Sequence, residues 1–429
     1  MAHIAAMASI DSANGTSGAW PWPRKAFTHK LAHTWISVAC IAYVVDLLMQ
    51  TRDGLTNGNG RPFGDDFINY WSGAFLAWHH RAAEVYDWAA FHAFEQSIAL
   101  ATLDFYHYSY PPVLLVLTAP LAALPYLPAL AAWLTSSWLC FYRALRLAMP
   151  AHGVLLLALA TPAVFVNAVG GQNGAWTAAL FGGGLSLLER RPIVAGILFA
   201  LLAYKPQLGI LIPIALVAGR QWRALASAML VGSALIVLSV ALFGAEIWAD
   251  YLRNLGILRH TILEDGSGVW HRMVSVFVFA RRLGAEVWVA YLAQAASGLV
   301  AACVVAAIWF KDRPPPLRNA ALLLGTCLAT PYLQDYDLVF GAFVVAWLTG
   351  PQGVADHLRR PALVASSLLL ILPVAAAPVA NLTGMALGPL FILPAFLLAA
   401  LMSLANARAP FRREDDDAVP LNRGGPSAR

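Results

Sequence analysis

Two adjacent carboxylates, Asp65 and Asp66, open the run Gly64-Asp65-Asp66-Phe67-Ile68-Asn69-Tyr70-Trp71 shortly after the first apolar stretch. A carboxylate at the edge of an apolar span can cap a helix, hold a cation, or take a proton from a substrate hydroxyl. Neighbouring side chains do not easily face the same way, so one of the two can cap the following helix while the other faces a pocket. Four more polar motifs occur later: Gln172-Asn173, Lys205-Pro206-Gln207, His271-Arg272 and Asp335-Tyr336-Asp337. Lys205 lies between two short apolar half-spans, and Pro206 removes a backbone donor there. A broken helix near a membrane surface leaves backbone groups free to bind a ligand. Plainer readings stand beside these. Lys205 can snorkel from a helix end, and Gln172-Asn173 can be a turn among glycines. His271 and Arg272 can be interfacial anchors, and Asp335 and Asp337 can cap the span that starts at Leu338. The acidic pairs leave a divalent cation open, though no ligand spacing supports one. Asp46, inside the first span, is an unassigned intramembrane carboxylate.

The elements that must position these residues are apolar helices. Of 429 residues, 59% are hydrophobic and only 12% are charged, about half the charged share of soluble domains. Apolar runs of spanning length recur along the chain, which makes it a polytopic, all-α membrane protein. The net charge of +5 reflects Lys and Arg in inner loops and implies no nucleic-acid partner. Cys40, Cys140, Cys303 and Cys327 all lie in apolar segments without metal-ligand spacing. They read as buried small apolar side chains, so neither a disulfide framework nor a zinc site is expected.

Charge in the short loops orients the spans. Residues 1–30 form a cytoplasmic segment, with Arg24, Lys25 and Lys30 before an uncleaved signal anchor. Residues 31–407 form the transmembrane domain, with about twelve spanning helices and large outer loops at about 51–110 and 244–286. Two interfacial helices are expected in the first loop, at 67–78 and 88–103. Residues 111–124 follow Tyr110-Pro111-Pro112 and are interrupted by Pro120, so they read as a re-entrant or half-depth helix. Arg143 and Arg146, Arg190 and Arg191, then Arg220 and Arg223 mark every second boundary. That alternation places all five polar motifs outside and both termini in the cytoplasm. Residues 408–429 read as a disordered, charged inner tail. No internal repeat stands out.

The run Asp66-Phe67-Ile68-Asn69-Tyr70-Trp71 resembles the Asp-Phe-x-x-Tyr motif of glycosyltransferase family 87. The order of later pieces is also similar: Tyr86-Asp87, Tyr110-Pro111-Pro112, Leu124-Pro125-Tyr126, Gly171-Gln172-Asn173 and Lys205-Pro206-Gln207. Asp250-Tyr251 with Arg253-Asn254, the run Met273 to Phe277, and Asp335-Tyr336-Asp337-Leu338 complete it. The likeness covers roughly residues 35–350. One departure is Gln334, in a stretch where His is frequent among relatives. The resemblance implies a GT-C-like fold and a sugar transferase that uses a polyprenyl-phosphate-sugar donor. Known members include mannosyltransferases of lipid glycan assembly.

The resemblance therefore implies an inverting hexose transfer, with mannose the leading sugar, to a lipid or glycan acceptor on the outer side of the cell (inner) membrane. Asp66 is then the general base. Lys205 and Arg272 would hold the donor phosphate. Tyr70, Tyr110, Gln172, Asn173, Gln207, Asp335 and Asp337 would contact the sugar or acceptor, and Trp71 could pack on a sugar face. No cofactor is required by this scheme. The alternative from another class is a transporter or flippase of a lipid-linked sugar, which should show a repeat and polar groups near the bilayer midplane. A ligase or polymerase using pyrophosphate donors is a further enzymatic alternative.

Overall fold

The computed structural model describes residues 26–51, 61–99, 103–149, 151–266, 268–311, 313–350 and 354–405. Most of the expected cytoplasmic start and all of the charged tail lie outside the described residues. Among the described residues the fold is helical throughout, with one isolated antiparallel bridge between Met273 and Gln334.

α1 (Ala26–Gln50) precedes the acidic loop. α2 (Phe67–Trp78) begins directly after Asp66, and α3 (Trp88–Ile98) begins at Asp87. The Asp87 carboxylate caps α3 by accepting from the backbone N–H groups of Ala89 and Ala90 at 3.0 and 3.1 Å. Two short helices are expected here from the sequence; the first has the expected bounds and the second ends at Ile98, short of the expected 103. The stretch 111–124, expected as one re-entrant or half-depth helix, is two short helices, α4 (Val113–Leu117) and α5 (Ala119–Ala122), with Pro120 in the first turn of the second. Neither is long enough to cross a bilayer.

α6 (Tyr126–Ala148) is followed by α7 (Ala151–Ala160) and α8 (Pro162–Val169). The apolar run over 152–169 is thus broken at Thr161, because Pro162 cannot donate to a continuing helix. α9 (Gly174–Leu187) and α10 (Pro192–Leu201) come next. α10 gives way to two 3-10 turns around Lys205 before α11 (Ile212–Ala218). α12 (Trp222–Phe243) leads to α13 (Glu246–Leu258), a π turn over Arg259–Glu264, and α14 (Val276–Arg282). α15 (Val287–Phe310), α16 (Pro315–Ala329), α17 (Gly341–Thr349), α18 (Arg359–Thr383) and α19 (Gly388–Ala405) complete the chain.

Three of these helices, α12, α15 and α18, are long and apolar enough to cross a membrane. Only 6% of the most apolar window of α12 is buried in the protein, so its Met229, Leu230 and Val237 face outward. An apolar surface of that kind is stable against lipid, not water. By contrast, α16 and α17 are buried along nearly their whole length. They form the core with α9, which packs against α6, α10 and the 3-10 turn Asp335–Phe340. Only Cys327 follows the cysteine expectation. Cys40, Cys140 and Cys303 are exposed, on outward apolar helix faces. Apolar composition marks a span without telling its lipid side from its protein side.

A second core of aromatic rings lies beneath the acidic loop. Tyr70 stacks on Trp133 at 5.2 Å, and Phe67 meets Tyr126 at 5.4 Å. Trp71 packs with Phe75 and Tyr126 and donates Nε1–H to the Leu124 carbonyl at 2.9 Å. Its ring therefore ties α2 to the α5–α6 turn and is not offered to a sugar.

Candidate active site

The five polar motifs, which are spread over 270 residues of sequence, converge around two adjoining cavities. Their meeting is built by close backbone approaches at Gly171 and Gly174. Gly171 has φ +57°, and a Cβ there would strike the Gly64 carbonyl and Phe67. A Cβ on Gly174 would strike the Tyr336 carbonyl. The Gly-Gln-Asn-Gly turn is thus wedged between the acidic loop and the Asp335–Phe340 turn. The bridge at Gln334 and the bond from Val274 N–H to the Leu333 carbonyl, 2.9 Å, bring Arg272 to the same place.

Asp65 and Asp66 diverge. Asp65 has φ +43° and accepts from Arg61 at 3.0 Å and from the Tyr106 hydroxyl at 2.6 Å. Asp66 occupies the N-cap position of α2, yet its side chain makes no capping bond. It turns toward the smaller cavity and accepts from the amide nitrogen of Gln172. Burial, then the neighbouring Asp65 charge, push the Asp66 carboxyl up to about 7; Arg272, Arg61 and the Gln172 bond act in the other direction. A carboxylate with that pKa can both take and release a proton near neutrality.

The cations are held by Asp335-Tyr336-Asp337. Arg272 forks onto Asp335, with Nε and Nη2 donating at 3.1 Å each. Lys205 Nζ donates to Asp337 Oδ1 at 2.6 Å, and both side chains are almost wholly buried. The other Asp337 oxygen accepts from the Gln334 N–H at 3.1 Å, inside a reciprocal capping arrangement of Gln334 and Asp337. Both cations lie over the ring of Tyr336, whose centre is 4.6 Å from Lys205 Nζ and 5.6 Å from the Arg272 guanidinium carbon. Lys205 is therefore not a snorkelling side chain, and Arg272 is not a simple surface anchor. Asp335 and Asp337, expected as sugar ligands, are the counter-charges of these cations. Among the described residues no three His, Cys, Asp or Glu side chains gather to hold a metal.

The expected sugar contacts divide. Tyr70, Tyr110 and Gln172 line the smaller cavity, of about 180 Å³, with Asp66, Arg272 and Gln334. Gln207 and Lys205 line the larger one, of about 300 Å³, whose far wall is apolar: Leu255, Leu258, Ile262 and Leu263. Ser109, Tyr110, Ile262 and Tyr332 border both. Asn173 is fully buried and lines neither; its Nδ2 donates to the Tyr110 hydroxyl at 3.0 Å. Its expected sugar contact is replaced by an internal one. Arg61, Tyr106 and Tyr332 escaped the sequence reading. Only Arg61, four residues before Asp65, left a local signal, as a possible ion partner.

This is a helical membrane protein that assembles an acidic, cation-flanked pocket where its short helices end. It belongs to glycosyltransferase family 87, whose sequence model matches residues 108–331. The match contains Tyr110, Gln172, Asn173, Lys205, Gln207 and Arg272, while Asp66, Asp335 and Asp337 lie outside it. Neither a curated protein nor a solved structure matches the chain.

Proposed function

We propose that this membrane glycosyltransferase moves a hexose, mannose first among those to be tried, from a polyprenyl-phosphate-sugar donor to a lipid or glycan acceptor, with inversion. The observation that carries the reading is the joining of two unlike cavities at Tyr110 and Tyr332. One is polar and holds a carboxylate titrating near neutrality with Arg272 across it. The other is apolar beyond Lys205 and suits the first units of a lipid chain. A donor lying across the junction has its anomeric carbon near Asp66 and its phosphate near the cations. Asp66 takes the proton of the acceptor hydroxyl as that oxygen attacks the anomeric carbon, and the lipid phosphate leaves with the bonding pair. Arg272 and Lys205 offset the charge that builds on it. In this scheme the domain has about twelve spans, both termini are cytoplasmic, and the pocket opens on the outer face. No cofactor takes part. Gathering of the polar groups beside one end of several helices supports transfer at a surface over carriage through the midplane, the arrangement a transporter or flippase would need.

The test uses protein in reconstituted membranes, with polyprenyl-phosphate-linked radiolabelled mannose and a total lipid extract. Asp66→Asn should lose on the order of 10²–10⁴ of the transfer rate while folding normally. A base works only when ionised, so the native rate should fall as pH drops through about 7. An active Asn variant, or a rate that holds steady from pH 8 to pH 5, removes Asp66 from the role of base.

A further inference from the structure

Four of the seven residues expected to touch the sugar, Tyr70, Tyr110, Gln172 and Asn173, are linked to one another. Asp66 accepts from Gln172 Nε2. Gln172 Oε1 accepts from the Tyr70 hydroxyl at 2.9 Å. The Tyr70 and Tyr110 hydroxyls are 2.9 Å apart, and Tyr110 accepts from Asn173 Nδ2 at 3.0 Å. The direction of the chain follows from valence. An ionised carboxylate only accepts, so the Gln172 amide must turn its NH₂ to Asp66 and its oxygen to Tyr70. Tyr70 then spends its one proton on Gln172, and Tyr110 must spend its own on Tyr70. Asn173 supplies the last donor. Every hydrogen in the chain points toward Asp66, and bonds aligned in this way polarise one another.

We propose that Tyr110 and Asn173, acting through Tyr70 and Gln172, are positioning residues that aim a one-directional hydrogen-bond chain at Asp66 and hold its ionised carboxylate toward the cavity. This rests on the reading of Asp66 as the base. The packing supports it independently: Tyr70, Gln172 and Asn173 are all buried and Tyr110 nearly so, which leaves their polar atoms few other partners. Asn173 Oδ1 is buried without a hydrogen-bond partner, which marks the far end of the chain.

Other groups face Asp66 as well. Asp65 and Arg61 share its loop, Glu95 faces it from α3, and Arg272, His271 and Lys205 approach from the other elements. Tyr106, Tyr126 and Tyr332 also feel its charge. A change confined to Tyr110 leaves all of these in place and so isolates the chain.

The test is an infrared titration of the carboxylic-acid C=O band of the full-length protein in lipid nanodiscs. Subtracting the Asp66→Asn spectrum isolates Asp66. Tyr110→Phe should move its midpoint upward, by up to about one pH unit, because the anion loses support. Tyr70→Phe, one link closer, should move it further. In the mannose-transfer assay the acid limb of kcat should shift with the midpoint while KM for the donor stays unchanged. Should Tyr110→Phe fail to fold, Tyr70→Phe carries the same expectation. An unmoved midpoint in the folded variants, with a raised KM, overturns the proposal and returns these tyrosines to sugar contact. Transfer by Asp66→Asn instead overturns the reading of the base, and the infrared shift remains a separate measure of the chain.

Discussion

The Lys205–Asp337 pair should behave as a matched unit whose halves are far more costly to lose singly than together. The side chains are 3% and 2% exposed, with Nζ and Oδ1 2.6 Å apart. At an effective dielectric of about 20 their attraction is roughly 6 kcal/mol. Removing both ions from water costs several kcal/mol each, so the net benefit of the pair over apolar residues is near zero. Breaking it is different, because one buried charge is left alone, at a cost of about 3–5 kcal/mol. Asp337→Asn keeps an oxygen for the Gln334 N–H and so removes little besides the charge. Lys205→Met removes the other partner with similar length. The two single variants and the double variant should be unfolded by denaturant in micelles, followed by Trp fluorescence. Each single variant should lose about 3–5 kcal/mol, and the double should lose less than either. Activity separates fold from function: the folded double variant should still transfer poorly, because the donor phosphate has lost a cation. If the losses of the two single variants simply add in the double, the charges do not interact and the buried pair is refuted.

Gly174→Ala should disable transfer out of proportion to its size, since the added methyl meets the Tyr336 carbonyl and displaces the turn that carries both acidic residues. Gly232→Ala on α12 is the control. Nothing lies within 4 Å of its Cβ, so it should leave activity intact and stabilise by up to about 1 kcal/mol in thermal unfolding. Glu95 is fully buried on α3, and neither carboxylate oxygen has a hydrogen-bond partner. Burial, then the Asp66 charge, push it up to about 9, so it stays protonated at neutral pH. Its folded pKa lies above the unfolded one, so it contributes stability at acid pH that is lost as pH rises from about 4.5 through about 9. Glu95→Gln should therefore match the native protein near pH 5 and melt higher than it near pH 9; equal melting temperatures at both would show that Glu95 is not held neutral.

Element types and the polar motifs were readable from the sequence, because both rest on local chemistry. Pro162 and Pro206 mark breaks through a missing donor, and Asp87 marks a helix start through its cap. The convergence of Asp66, Gln172, Lys205, Arg272 and Asp335 on one place was anticipated in outline, from the alternation of Arg pairs along the spans. What each side chain does there was not readable. Asp335 and Lys205 have the composition of ligand groups, and only the fold reveals that each already has a buried counter-ion or partner. Asn173 is expected from the sequence as a sugar contact, with a turn among glycines as the plainer reading. The turn is real, but Gly174 lies against Tyr336, and that contact is 162 positions away in sequence.

These pairings explain how a site proposed to take a phosphate can carry so many carboxylates. The carboxylates Asp65, Asp66, Asp335 and Asp337 alone would repel an anionic donor, but they face Arg61, Arg272 and Lys205. The fold removes much of that repulsion by assignment. Asp65 is bound to Arg61, Asp335 to Arg272 and Asp337 to Lys205, which leaves Asp66 as the carboxylate without a cation of its own. An arriving phosphate in the proposed scheme shares Arg272 and Lys205 with their carboxylates and does not have to strip them away. The Lys205 and Arg272 charges both lie over the Tyr336 ring, 4.6 and 5.6 Å from its centre, and in the proposed scheme both act on one leaving group. Asp66, held only by an amide, keeps the proton affinity that a base at neutral pH requires. Pairing it with a cation would lower that affinity and weaken it as a base, so the separation of the three ion pairs from Asp66 is what the chemistry demands.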